Sequence, residues 1–296
     1  MDIKIIAQTI IYGIFSGSIY SLVAVGLQWI FGITKIINIA HGPLVVIGSF
    51  LTFWAFSLCH LDPFVAILPV TLVLLLLGLV VYCVIFYPLK NLIGHERVHL
   101  SLLLAFGLMI ILQNGARLLW SADERALTTA LTGASLEFIG VRLPYARLAG
   151  LAVALLVIIC VHLLLTKTYF GKSVRALIDN PQAARLVGVN INLVHLFSFG
   201  IGIALAGSAG TLIAITTSFS PFGGMVWTLK GLIVVVLAGM GNIRGVFLAG
   251  LVLGVVEAIG AIVGLGAYRE IFGLITFVLV LMFKPEGLFV RGGRAA

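Results

Sequence analysis

Residues 64–87 read FVAILPVTLVLLLLGLVVYCVIFY, and no Asp, Glu, Lys or Arg interrupts them. A helix rises about 1.5 Å per residue, so a run of this length crosses roughly the 30 Å of hydrocarbon in a bilayer. The rest of the chain repeats the pattern. Hydrophobic residues fill 61% of its 296 positions and charged residues only 9%, where a soluble domain carries about 25% charged. Nine apolar segments are read at about 5–31, 40–58, 64–87, 100–120, 148–165, 193–216, 228–239, 245–264 and 270–283. The seventh is short enough to tilt or to enter as a broken helix. The expectation is an all-α, polytopic membrane protein of about eight to nine transmembrane helices, with one transmembrane domain over residues 1–296. Its function lies across or within a membrane rather than in aqueous catalysis.

Cysteine spacing at Cys59, Cys83 and Cys160 fits neither a zinc site nor a disulfide framework, and all three read as small apolar filler. The first segment runs from Ile3 to Ile33 without a small-residue cleavage site, so a cleaved leader is not expected. No cluster suggests a metal site or a catalytic group.

Charge orients the spans. One set of loops carries Lys35, Lys90, Arg97, Lys167, Lys172, Arg175, Arg185, Arg244, Lys284, Arg291 and Arg294 against Glu96, Asp179 and Glu286. The other balances Lys4, Arg117, Arg125, Arg142, Arg147, Lys230 and Arg269 against Asp2, Asp62, Asp123, Glu124, Glu137 and Glu270. The first set is expected inside, which puts the N-terminus outside and the C-terminus in the cytoplasm. The net charge of +8 is then a topology signal, and nucleic-acid binding is not expected. Two loops are long enough for structure of their own: 121–147 outside and 166–192 inside.

Gly17-Ser18-Ile19-Tyr20-Ser21-Leu22-Val23-Ala24 in the first span and Gly207-Ser208-Ala209-Gly210-Thr211-Leu212-Ile213-Ala214 in the sixth both read G-S-x-x-[ST]-L-[VI]-A. The two spans run in opposite directions on this topology. An inverted repeat, with the substrate path at the repeat interface, would produce such a match; so would chance in a chain rich in Gly and Ala. Glycines at four-residue spacing, as at Gly13/Gly17 and Gly250/Gly254, suit helices packed closely in lipid.

Polar groups inside the apolar segments are the candidate pathway residues. Asn38-Ile39-Ala40-His41-Gly42-Pro43 interrupts a hydrophobic stretch. It reads either as a discontinuous helix beside the substrate path or as a plain turn with Asn38 capping the following helix. Glu257 is the acidic residue well inside a span. It either faces an aqueous path, where it could carry a proton, or pairs with a basic neighbour. His162, His195, Lys230, Arg117 and Arg269 lie near segment ends, where snorkelling accounts for them. Gly17, Ser18, Gly207 and Ser208 of the repeat join Asn38, His41, Gly42 and Glu257 as pathway candidates.

In 166–192, Asn180 is placed to cap a short helix over about 181–187, Pro181 to open it and Gly188 to close it in the left-handed conformation. A helical stretch near 172–179 precedes it, with Val174, Leu177 and Ile178 as its apolar face. Such a helix suits docking into a groove on a soluble partner or lying on the bilayer surface. Lys172, Arg175, Ala183, Ala184, Arg185 and Gly188 are the candidate coupling residues. Gly171-Lys172-Ser173 is not a phosphate-binding loop, because Thr166 stands where the first glycine belongs and a membrane helix precedes it.

Over nearly its whole length the chain resembles the permease subunits of ATP-binding-cassette importers for branched-chain amino acids. The resemblance rests on 17–27, on Ile37-Asn38-Ile39-Ala40-His41-Gly42, on 171–188, on Leu237-Ala238-Gly239-Met240-Gly241-Asn242-Ile243 and on Lys284-Pro285-Glu286-Gly287-Leu288-Phe289. Arg244 departs from the small residue or proline expected there. The resemblance implies a type II importer-like permease in the bacterial inner membrane that works by alternating access. It implies as partners a second, homologous permease subunit, two cytoplasmic ATPase subunits, a periplasmic amino-acid-binding protein and membrane lipid. ATP and Mg would bind the ATPase subunits, with no cofactor on this chain. The alternatives are an importer permease for other amino acids, urea or amides, and a proton-coupled secondary transporter using Glu257. An intramembrane enzyme would need convergent catalytic side chains, which the sequence does not offer.

Overall fold

The computed structural model describes residues 3–92, 95–129, 133–138, 141–239, 241–262 and 268–289. Met240, Gly264, Arg291 and Arg294 lie outside the described residues, and Arg244 is described in its backbone only. The helices are α1 (Ile3–Thr34), α2 (His41–Cys59), α3 (Pro63–Val81), α4 (His95–Trp120), α5 (Tyr145–Lys167), α6 (Tyr169–Asp179), α7 (Pro181–Leu186), α8 (Ile191–Thr216), α9 (Gly224–Ala238), α10 (Ile243–Gly260) and α11 (Arg269–Phe283). Seven of these segments are long and apolar enough to cross a membrane, while α10 is apolar but shorter and α11 has 15 residues. In their described residues all nine expected apolar segments are largely helical, and the protein is a membrane protein.

One addition interrupts the all-helical pattern. Within 121–147, β1 (Ser135–Phe138) and β2 (Val141–Pro144) pair antiparallel, with Ser135 opposite Pro144 and Phe138 opposite Val141. Gln8 ties this hairpin to α1. Its amide accepts from the Arg142 N–H (2.8 Å) and donates to the Arg142 carbonyl (2.6 Å). Arg125 forms a backbone bridge with Phe219 and sets its guanidinium 5.0 Å from the Phe53 ring centre.

The core is built on α1 and α8. Of their most apolar stretches 72% and 83% of residues are buried, against 17% for α5, so α1 and α8 are central and α5 is peripheral. Their partners follow a crossed pattern. α1 packs chiefly against α10, α8 and α9, and α8 chiefly against α3, α2 and α1. The first helix of each half therefore sits on the second and third helices of the other half. The matched glycines do equivalent work. A Cβ on Gly17 would lie 2.6 Å from the Gly250 carbonyl of α10, and one on Gly207 would meet Leu74 of α3 at 3.1 Å. The matched hydroxyls cross interfaces too: Ser21 Oγ donates to the Phe247 carbonyl of α10 (3.0 Å), and Thr211 Oγ1 bonds Thr52 Oγ1 of α2 (2.8 Å). The short motif thus has the geometric counterpart that an inverted repeat requires. In lipid no hydrophobic term drives helices together, so such close backbone contacts and interhelical hydrogen bonds carry the association.

At the far end from the hairpin, α5 turns into α6 at Thr168, whose side chain accepts from the Gly171 N–H (3.0 Å). Arg175 donates to the Leu165 carbonyl across the turn. Asn180 caps α7 as the sequence predicts, accepting from Gln182 N (2.9 Å) and Ala183 N (3.0 Å). Gly188 follows at φ +83°. The apolar face of α6 is Val174 and Leu177, which are buried; Ile178 is exposed. Cys59, Cys83 and Cys160 are free thiols on the exposed surface of the helices.

Candidate functional site

After α1 ends at Thr34, residues 35–40 do not leave the bundle; they run back along it. His41 Nε2 lies 3.0 Å from the Val23 carbonyl, a point about 16 Å up the axis of α1 from Thr34. Each of the two readings of 38–43 is met in part: the chain turns at 35–40 and His41 opens α2 in its first turn, but α2 starts inside the bundle. Asn38 is not its cap. Ala40 occupies that position without a side-chain bond, and the buried Asn38 side chain has no hydrogen-bond partner among the described residues. Its carbonyl accepts from the His41 N–H (3.2 Å).

The second half does the same. Residues 217–223 return from the end of α8, and α9 starts beside α2. Gly42 and Gly224 meet so closely that a Cβ on Gly42 would lie 1.8 Å from the Gly224 carbonyl. The contact needs glycine because two helix starts approach backbone to backbone. Thr228 locks it: Oγ1 accepts from the Gly42 N–H (2.9 Å) and donates to the Ile39 carbonyl (3.0 Å). The N-termini of two half-helices thus face one another inside the bundle and diverge toward its opposite ends.

Beside this junction is a buried charge cluster. Lys230 of α9 donates to Glu257 of α10 at 2.9 Å (Oε1) and 2.8 Å (Oε2), and the Tyr20 hydroxyl of α1 donates to Oε2 at 2.7 Å. Lys230 also donates to the Tyr20 hydroxyl (3.2 Å) and stands 3.6 Å from Glu270 Oε1 of α11. Only 6% of the Lys230 side chain and 5% of that of Glu257 are exposed. Glu257 pairs with a basic neighbour, one of its two readings, and it also borders a cavity. The snorkelling expected of Lys230 is not observed: α9 begins inside the bundle, so a lysine in its second turn is interior. His195 is likewise buried rather than at a wet helix end. A signal for this existed, since no Asp, Glu, Lys or Arg occurs between Arg185 and Lys230, a stretch too long for one span.

Tyr20, Lys230 and Glu257 line a cavity of about 640 Å³ whose lining also includes Arg147 and the exposed Glu124, Ser218, Arg269 and Glu270. Of the pathway candidates, Glu257 alone lines it. Gly17 and Gly207 stand at helix–helix contacts, and Ser18 and Ser208 are buried and bond back to the Phe15 (2.7 Å) and Ala204 (3.2 Å) carbonyls. Asn38, His41 and Gly42 form the half-helix junction. Tyr20, Thr228 and Lys230 belong to the site and were not singled out by spacing. Of the coupling candidates, Lys172, Arg175, Ala183, Arg185 and Gly188 are exposed, while Ala184 is buried at 2%. Among the described residues no group of His, Cys, Asp and Glu could hold a metal.

Known proteins bear on what such a site does. The chain is 31% identical to the high-affinity branched-chain amino acid transport system permease protein BraD of Pseudomonas aeruginosa, over 96% of this chain and 95% of that one. It is 27% identical to the corresponding protein LivH of Salmonella typhimurium, with the same coverage. The solved structure of PsaBC from Streptococcus pneumoniae in complex with Fab shares the fold at TM-score 0.52 and 11% identity, over 94% of this chain and 93% of that one. Residues 9–282 match the family described as branched-chain amino acid transport system / permease component. With that match covering nearly all of a bundle built on two opposed half-helices, the chain belongs to this family of transport-system permeases.

Proposed function

We propose that this chain is the membrane permease of an ATP-driven, binding-protein-dependent importer of branched-chain amino acids, and that substrate crosses by alternating access. The observation that carries the reading is the family match over residues 9–282. The names of the relatives supply the substrate class. The opposed half-helices supply the mechanical element: two broken helices meeting inside the bundle are the arrangement that transporters place at a midplane path.

On the orientation set by positive charge, the N-terminus and the hairpin face outward, and the C-terminus and α6–α7 face the cytoplasm of a bacterial inner membrane. The cavity beside Lys230 and Glu257 then opens outward, where a periplasmic binding protein would deliver substrate. Lys172, Arg175, Ala183, Arg185 and Gly188 border the surface on which an ATPase subunit would dock. Ala184 holds α7 in place from beneath. A second, homologous permease and two ATPase subunits complete the unit, with ATP and Mg on the ATPases. The Asn38–Gly42 segment, Gly17, Ser18, Gly207 and Ser208 form the packed layer that repacks when the path switches sides.

The test is leucine uptake into vesicles holding this chain, a partner permease, two ATPase subunits and the binding protein. Uptake that requires internal ATP, the binding protein and this chain supports the reading. ATP-independent transport by this chain alone overturns it.

A further inference from the structure

We propose that the cavity beside the Lys230–Glu257 pair is a binding subsite for a zwitterionic α-amino acid, with Lys230 receiving the carboxylate and Glu257 the ammonium. The proposal rests on the importer reading and deepens it, because it puts substrate recognition within the permease itself.

The first argument is cost. Two charges with 6% and 5% of their side chains exposed lose solvation that their mutual attraction barely restores, and apolar replacements of such pairs are often neutral or stabilising. Ionisable groups inside a membrane bundle therefore point to function by default. The second is placement. The pair is not sealed between helices. It forms part of the wall of a cavity of about 640 Å³, a size within the range of about 300 to 1,000 Å³ typical of small-molecule sites.

The third argument is chemistry. The Tyr20 hydroxyl, 2.7 Å from Glu257 Oε2 and 3.2 Å from Lys230 Nζ, both donates and accepts, so it holds the two heads in register. Glu270, 3.6 Å from Lys230, offers that lysine a second anionic contact when Glu257 turns to a ligand. Trp227, with its ring centre 6.1 Å from that of Tyr20, and Ile19, Val226 and Ala258 give the same cavity an apolar wall. A zwitterion exchanges partner for partner: its carboxylate replaces Glu257 at Lys230 while its ammonium replaces Lys230 at Glu257. No charge is left uncompensated. A neutral amide leaves both protein charges without a full partner. An amine or a carboxylic acid leaves one of them so, and that is the costly case. The aliphatic side chain of the same ligand fits the Trp227 side of the cavity.

The test measures L-[³H]leucine binding to the full chain, purified with the permease chain it assembles with, in lipid nanodiscs without binding protein. Valine is expected to displace the label, while 4-methylpentanoate and 3-methylbutylamine, each lacking one charge, compete about tenfold more weakly or worse, as loss of a charged hydrogen bond dictates. This comparison uses unaltered protein, so no folding defect intervenes. Lys230→Arg and Glu257→Asp keep both charges but move them, and each is expected to weaken leucine binding about tenfold. Equal competition by the single-charge analogues overturns the proposal, as does unchanged affinity in both variants. Absence of leucine binding by a preparation whose complete vesicles import leucine also overturns the subsite and leaves the importer reading standing. Leucine binding in nanodiscs, with no import of any aliphatic amino acid by complete vesicles, upholds the subsite and removes the importer reading.

Discussion

The Gly42 amide of α2 donates to Thr228 Oγ1 of α9 at 2.9 Å, and the same hydroxyl donates to the Ile39 carbonyl at 3.0 Å. One side chain therefore satisfies both sides of the chain where it breaks, at the place where two half-helices meet. Free backbone groups inside a membrane are tolerated only where protein or a water-filled cavity covers them.

Thr228→Val keeps the shape and removes both bonds. It is expected to cost about 1 to 3 kcal/mol, because a buried donor and acceptor are stranded. Thr228→Ser should restore most of the loss. Thermal unfolding of the purified protein measures both.

Gly42→Ala should be worse tolerated than a glycine-to-alanine change elsewhere, since the new Cβ would lie 1.8 Å from the Gly224 carbonyl. Gly17→Ala, with 2.6 Å to the Gly250 carbonyl, pries α1 from α10 and is expected to destabilise by about 1 to 3 kcal/mol. Gly32→Ala is the control, because nothing lies within 4 Å of its added atom. The expected order of melting temperatures is Gly32→Ala above Gly17→Ala above Gly42→Ala.

Lys230→Met strands Glu257 in the bundle, and a loss of about 3 to 5 kcal/mol is expected. The double variant Lys230→Met/Glu257→Met should recover much of that loss, because no charge is then left unpaired. The same double variant should fail in leucine uptake, which separates folding from transport in one comparison.

The α7 surface offers a different contrast. Leu186 is 89% exposed and Ala184 2%. Leu186→Asp and Arg185→Glu should leave the melting temperature unchanged and uncouple ATP hydrolysis from uptake if an ATPase docks there. Ala184→Asp should lower the melting temperature itself. Uptake and ATPase activity assayed on the same vesicles distinguish these outcomes.

Much of this was legible in the chain. The apolar runs determined the long apolar helices, seven of them among the described residues long enough to cross a membrane, because hydrocarbon admits few ways to satisfy a backbone. Asn180, Pro181 and Gly188 determined α7, because capping is local chemistry. The match between 17–24 and 207–214 marked the two central helices, and the polar interruption at Asn38–Pro43 marked the place of the break. Tertiary structure alone decided that α2 and α9 both start inside the bundle and meet at Gly42 and Gly224. It also decided that Lys230 is interior, that it pairs with Glu257 and Tyr20, and that a cavity opens beside them. The reason is physical. Caps and spans are set by neighbours along the chain, whereas Tyr20, Lys230 and Glu257 are separated by 210 and 27 positions and meet only when helices from both halves cross. No periodicity records such a crossing; it follows from which glycine faces let which helices touch.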